Sequence, residues 1–182
     1  VVVSNLKKEW IHEFSESLDP YFESGNQDHI DVLKLLKEFI KSNQIQMDKV
    51  MLVSVAYPGV VGHNDSLYLT NLEFREVLLQ QLVPYIKKEL NKELIIKNDV
   101  NLATIGVKAY GDFDHVENLY LLSADVGVGV GIIINHQLYE GDRNAAGEVG
   151  FVLPIQQTDG GYSTLEDRVC LHALAKSYSK LI

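Results

Sequence analysis

Leu94-Ile95-Ile96-Lys97-Asn98-Asp99-Val100-Asn101 is an apolar run that gives way to small polar side chains and then to a helical pattern. The spacing predicts a strand over 94–96 and a helix over about 100–110. In open α/β sheets, ligands bind beyond the carboxyl ends of strands. A carboxylate there, Asp99, can accept a hydroxyl proton, and an amide, Asn98, can grip a second hydroxyl. The plainer reading of these residues is helix capping, for which Asn and Asp are preferred types. The eight residues alone leave both readings open.

Toward the N-terminus, residues 1–3 and 10–14 read as two short strands joined by a polar turn at Lys7-Lys8. Ile30, Leu33, Leu36, Phe39 and Ile40 predict an amphipathic helix over 27–42. The apolar run 50–56 suits a buried parallel strand, stopped by Pro58-Gly59. Phe74, Leu78, Leu82 and Ile86 form the stripe of a second helix that Pro84 should weaken or kink. The order strand, strand, helix, strand, helix, strand, helix implies an α/β sheet with a hairpin edge and parallel crossovers.

Toward the C-terminus the pattern changes. A strand over 119–124 leads to a glycine-punctuated turn at Gly127, Gly129 and Gly131. A second strand, 132–134, turns at Asn135-His136 into Leu138-Tyr139, completing a meander. A glycine- and charge-rich loop covers 141–150. Ser163 and Glu166 have capping-box spacing, which predicts a helix continuing to the end of the chain. The change near 111–117 marks a boundary between two lobes, 1–112 and 113–182.

Bulk properties narrow the function classes. The chain has 182 residues, 46% apolar and 23% charged, with net charge −9. It can bury a core, and its composition is that of a folded chain rather than a disordered one. An acidic chain does not attract phosphate backbones, so any DNA contact must come from another part of the polypeptide. The single cysteine, Cys170, fits a buried thiol in a reducing cytoplasm. No signal peptide or membrane span is read. Both ends fall inside element-like runs, which implies a piece of a longer protein.

Three further stretches carry chemistry. Alternate glycines in Asp125-Val126-Gly127-Val128-Gly129-Val130-Gly131 can cradle an anion on their N–H groups, or simply suit a tight hairpin. Asp125 opposes phosphate there, because like charges repel. Glu148, between Gly147 and Gly150, can accept sugar hydroxyls or be a surface carboxylate in a loop. Glu166 can be the carboxylate of the capping box, a sugar contact, or both. The six scattered histidines and the one cysteine give no metal site.

Taken in order, four stretches resemble the ROK family (repressors, open reading frames, kinases). They are Val53-Ser54-Val55-Ala56-Tyr57-Pro58-Gly59-Val60-Val61, Asn98-Asp99-Val100-Asn101, residues 127–139, and Ala146-Gly147-Glu148-Val149-Gly150. The resemblance implies a partial actin-like ATPase (ribonuclease-H-like) two-lobe fold with a sugar held between lobes. It implies that Asn71, Asn98, Asp99, Glu148 and Glu166 contact the sugar. If the chain is a kinase, Asp99 is its catalytic base.

The departures from the family pattern point away from phosphoryl transfer. Asp125 and Val126 stand where the kinase phosphate loop has Gly and Thr, leaving Asp125, Val126, Gly127 and Gly129 as a degenerate loop. Phosphoryl transfer depends on neutralising phosphate charge, and Asp125 does the reverse. Phe151 replaces the family's histidine, and the family's zinc cysteines are missing from 156–166. The chain therefore resembles the sugar-binding effector domain of a repressor, of the xylose-repressor type, without cofactor or metal. Its implied partners are a pentose or hexose, DNA through a winged helix-turn-helix outside this segment, and a second copy in a cytoplasmic homodimer. The alternative is an ATP-dependent sugar kinase.

Overall fold

Valine- and aromatic-rich β1 (Val2–Ser4) and β2 (Trp10–Glu13) pair antiparallel, with a bulge between Val3 and Ser4. They open a computed structural model that describes residues 1–7, 9–15, 31–68, 72–152, 155–156 and 161–179. The chain forms two compact units, 1–53 with 71–94, and 54–70 with 95–182.

In the first unit, α1 (Val32–Ser42) starts at Asp31, whose Oδ1 accepts the Lys34 N–H at 2.8 Å. That satisfies one of the donors a helix start leaves without an internal partner. The expected start at residue 27 lies outside the described residues. Phe39 on the apolar stripe is buried, and its ring meets Phe14 at 6.2 Å. The second helix begins as α2 (Leu72–Val77) and widens into π-helical turns at Leu78–Leu82 and Tyr85–Glu89. Pro84 lacks an N–H, and its ring would strike the carbonyl four residues back. Wider turns relieve both problems, with Val83 N–H on Leu78 O and Leu90 N–H on Tyr85 O. Leu78, Leu82 and Ile86 of the expected stripe stay buried through this change of pitch, and the Phe74 side chain lies outside the described residues.

Farther along the chain, β3 (Leu52–Tyr57) pairs with β6 (Glu93–Asn98). Exposure along β3 alternates, from Leu52 at 45% to Tyr57 at 0%. The strand is therefore covered on one face, not on both as its apolar run predicts. Continuous apolarity does not by itself say how many faces are covered. Among the described residues the β1–β2 hairpin and the β3–β6 pair are separate ladders rather than one sheet, because strand partners are non-local and no strand pattern names them. After Pro58-Gly59 the chain forms a hairpin, β4 (Val60–Val61) with β5 (Leu67–Tyr68).

α3 (Asp99–Tyr110) packs on the meander β7 (Leu119–Ala124), β8 (Val128–Ile134) and β9 (Gln137–Leu138). Gly129 and Gly131 lie inside β8, not in the turn, which is only residues 125–127. The reason is the helix above them. A Cβ on Gly131 would lie 1.7 Å from Thr104 Oγ1, and one on Gly129 would lie 3.4 Å from Val100 Cγ2. The β8–β9 turn does fall at Asn135-His136, both left-handed at φ 51° and 64°, as two-residue hairpins require. This packing joins α3 to the C-terminal meander.

The last elements are α4 (Val149–Val152), the pair β10 (Ile155–Gln156) and β11 (Tyr162–Ser163), α5 (Glu166–Val169) and α6 (Leu171–Tyr178). The expected continuous final helix is broken at Cys170, which is extended (φ −67°, ψ 160°). Its free thiol is buried. Among the described residues no helix is long and apolar enough to cross a membrane.

Candidate functional site

The strand end at 97–99 is rigid for local reasons. Asn98 is the N-cap of α3, its Oδ1 accepting the Asn101 N–H at 2.9 Å. Its Nδ2 donates to Gly59 O at 3.0 Å, tying the helix start to the turn after β3. Capping thus accounts for Asn98. Asp99 stands one residue beyond the cap, and its Oδ1 accepts the Val100 N–H at 2.8 Å. A carboxylate in the first turn is favoured by the helix dipole. Asn98 and Asp99 are both half-buried.

Glu148 reaches this place through Gly147. Gly147 has φ +91°, and a Cβ there would lie 1.8 Å from Val130 O. Its carbonyl accepts the Val130 N–H at 2.8 Å, which fixes the loop to β8 one residue before Glu148. Burial pushes the Glu148 carboxyl above its ordinary value, with Asp99 and then Glu166 adding to the effect. Three carboxylates from distant parts of the sequence therefore share one electrostatic neighbourhood.

Glu166 does not cap its helix. The reciprocal pair is shifted by one residue: Thr164 N–H to Asp167 Oδ2 at 2.8 Å, and Asp167 N–H to Thr164 Oγ1 at 3.2 Å. These bonds, the backbone one first, hold the Asp167 carboxyl below its ordinary value. Ser163 sits in β11, where its Oγ accepts Arg168 Nε–H at 3.0 Å. The shift frees Glu166 to turn inward, where its Oε2 accepts the Val128 N–H at 2.9 Å. Gly127 and Gly150 make room for it, since a Cβ on either would stand 3.1 Å or 3.0 Å from that oxygen. The glycine stretch thus brings an amide close to an anion, and that anion is the chain's own carboxylate.

Asp125 and Val126 form the exposed tip of the β7–β8 turn, Val126 being 83% exposed. The Asp125 N–H donates to Gly127 O, and its carbonyl accepts the Leu171 N–H at 2.8 Å, anchoring α6. Asn71 lies outside the described residues. The residues present do not fit a zinc ion: the segment 156–166 has no cysteine, and the one thiol in the chain is Cys170. Sequence reading missed a partner set beside the site. Lys97 Nζ contacts both Glu140 carboxylate oxygens at 2.8 Å, and Asn144 Nδ2 donates to Val61 O at 2.9 Å. No spacing rule pairs residues so far apart, so only their charge could have hinted at it.

With this geometry in place, comparison with known proteins is decisive at the level of family. The ROK family profile matches residues 13–177. The chain belongs to the ROK family. A xylose repressor from Caldicellulosiruptor bescii is 28% identical over 192 residues, which is all of this chain and 46% of that protein. A beta-glucoside kinase from Listeria monocytogenes is 26% identical over 162 residues, 87% of this chain and 53% of that protein. Among solved structures, a ROK family transcriptional regulator homologous to the E. coli MLC protein superposes with TM-score 0.62 at 22% identity. That match covers 82% of this chain and 39% of the other. The ROK chain thus has the α/β actin-like ATPase (ribonuclease-H-like) fold, and it spans about half or less of the length of these relatives.

Proposed function

We propose that this ROK chain is the sugar-binding effector domain of a transcriptional repressor, with a pentose or hexose bound at Asn98, Asp99, Glu148 and Glu166. Asn71 is proposed as a further contact. One observation carries the reading: Asp99, Glu148 and Glu166 gather into one half-buried neighbourhood in which Glu148 holds its proton more tightly than usual. Carboxylates and amides in this arrangement accept and donate to the several hydroxyls of a sugar. They repel a ligand that is itself anionic.

The nucleotide side points the same way. The first amide of β8 is already bonded to Glu166, and Asp125 adds a carboxylate at the turn. Asp125, Val126, Gly127 and Gly129 are therefore a phosphate loop that has lost its task, and neither nucleotide nor zinc is required. Kinship with a repressor covering the whole chain fits this reading. The domain works in a cytoplasmic homodimer whose DNA-reading heads lie outside this segment. The domain changes arrangement on sugar binding only to the extent that the sugar binds one arrangement better. Calorimetric titration of the full-length protein with D-xylose, D-glucose and N-acetylmannosamine tests it. Saturable binding of one sugar, lost in Glu148→Ala, is expected. Absence of binding by all three overturns it.

The kinship with a beta-glucoside kinase favours a second reading, an ATP-dependent sugar kinase. Asp99, at the start of α3, would then take the proton of the attacking hydroxyl. Sugar-dependent ATP turnover by the full-length protein, abolished by Asp99→Asn, would establish that reading in place of the first.

A further inference from the structure

The loop that carries Glu148 has to be held against its own electrostatics. Glu148 lies near Asp99 and Glu166, and like charges in a half-buried setting push apart. The loop has no strand or helix of its own between β9 and α4, and it turns through left-handed residues at Gly141, Asn144 and Gly147. Backbone bonds fix its two ends, Tyr139 N–H to Ile132 O and Val130 N–H to Gly147 O, both 2.8 Å. Between them, the loop is tied to the other side of the site by side chains. Asn144 Nδ2 donates to Val61 O at 2.9 Å, and His63 Nε2 lies 3.1 Å from the Asp142 carbonyl. The strongest tie is Lys97, whose Nζ bridges both oxygens of Glu140 at 2.8 Å.

We propose that Lys97, through its ion pair with Glu140, is the positioning residue that holds the Glu148 loop against the Asp99 end of β6, an inference that rests on reading this place as the sugar site. Lys97 and Asp99 leave the same strand end, two residues apart. One short rigid segment therefore presents both the charge that repels Glu148 and the charge that tethers its loop. The distance between those two points on the backbone cannot vary much, so the pair sets how closely Glu148 approaches Asp99. The two side chains are 35% and 24% exposed, more sheltered than the surface pairs that contribute little. A Lys points a single charge and can be exchanged with its partner, which makes the proposal open to a swap.

The test uses the full-length protein in four forms: wild type, Lys97→Met, Lys97→Arg, and the double swap of Lys97→Glu with Glu140→Lys. Hydrogen–deuterium exchange of peptides covering 139–148 is measured without sugar, and D-xylose and D-glucose are titrated by calorimetry. Lys97→Met is expected to speed loop exchange and weaken sugar binding by about tenfold, a typical coupling between linked groups. Lys97→Arg and the swap should restore both. Unchanged exchange in Lys97→Met, or a swap that restores neither readout, overturns the proposal. Should Lys97→Met fail to fold, Glu140→Gln removes the same pair and is read in the same way. If wild type binds neither sugar, the proposed ligand is wrong for these probes, and the exchange data alone decide the tether.

Discussion

Glu148 is a carboxylate whose proton stabilises the fold. Burial, then Asp99 and Glu166, holds its pKa above the ordinary value of 4.5, so between the two values the folded state carries more protons than the unfolded. The stability this supplies is complete below the ordinary value and is lost as pH rises through the raised one. Melting curves of wild type and Glu148→Gln between pH 4 and 7 should therefore diverge, with wild type losing ground as pH rises. Parallel curves would show that Glu148 is not in this environment. Gly147, next to it, is held at φ +91° with no room for a Cβ. Gly147→Ala should cost about 3 kcal/mol, combining backbone strain with a steric clash, as read from the urea midpoint.

At the scale of elements, the start of α5 is set by Thr164 and Asp167 rather than by Ser163 and Glu166. Thr164→Ala should lose about 1 kcal/mol, the usual loss for a cap. A double-mutant cycle with Asp167→Ala should be non-additive, because the two side chains act on each other's N–H groups. The corresponding cycle of Ser163 with Glu166 should be additive. The crossing of α3 over β8 is equally specific. Gly131→Ala should cost about 1–3 kcal/mol through overpacking. Thr104→Ala should rescue it only in part, since the Thr104 Cβ, 2.6 Å from the added carbon, remains after the hydroxyl is gone.

At the scale of the whole molecule, sugar binding and stability are linked. A ligand at a hundred times its Kd adds about 2.7 kcal/mol to a fold that binds it only when native. Thermal unfolding of the full-length protein should shift upward with the sugar that calorimetry identifies. Glu148→Ala should abolish that shift. A shift that persists in Glu148→Ala would place the sugar elsewhere.

The amino-acid sequence by itself determined the elements whose causes are local. The hairpin at 1–14, the stripe Leu78–Leu82–Ile86, the cap at Asn98 and the turn at Asn135-His136 follow from residue type and spacing, because propensity and capping act within a few residues. It also determined the family, through four ordered stretches. Tertiary structure alone decided which anion meets the glycine stretch, because Val128 and Glu166 are 38 residues apart and compete with a nearer capping pattern for that carboxylate. It decided that Gly129 and Gly131 belong to a strand, because the helix crossing them is what demands the missing side chains. It also decided that Lys97 holds Glu140, because a charge carries no record of its partner until folding brings the two strand ends together.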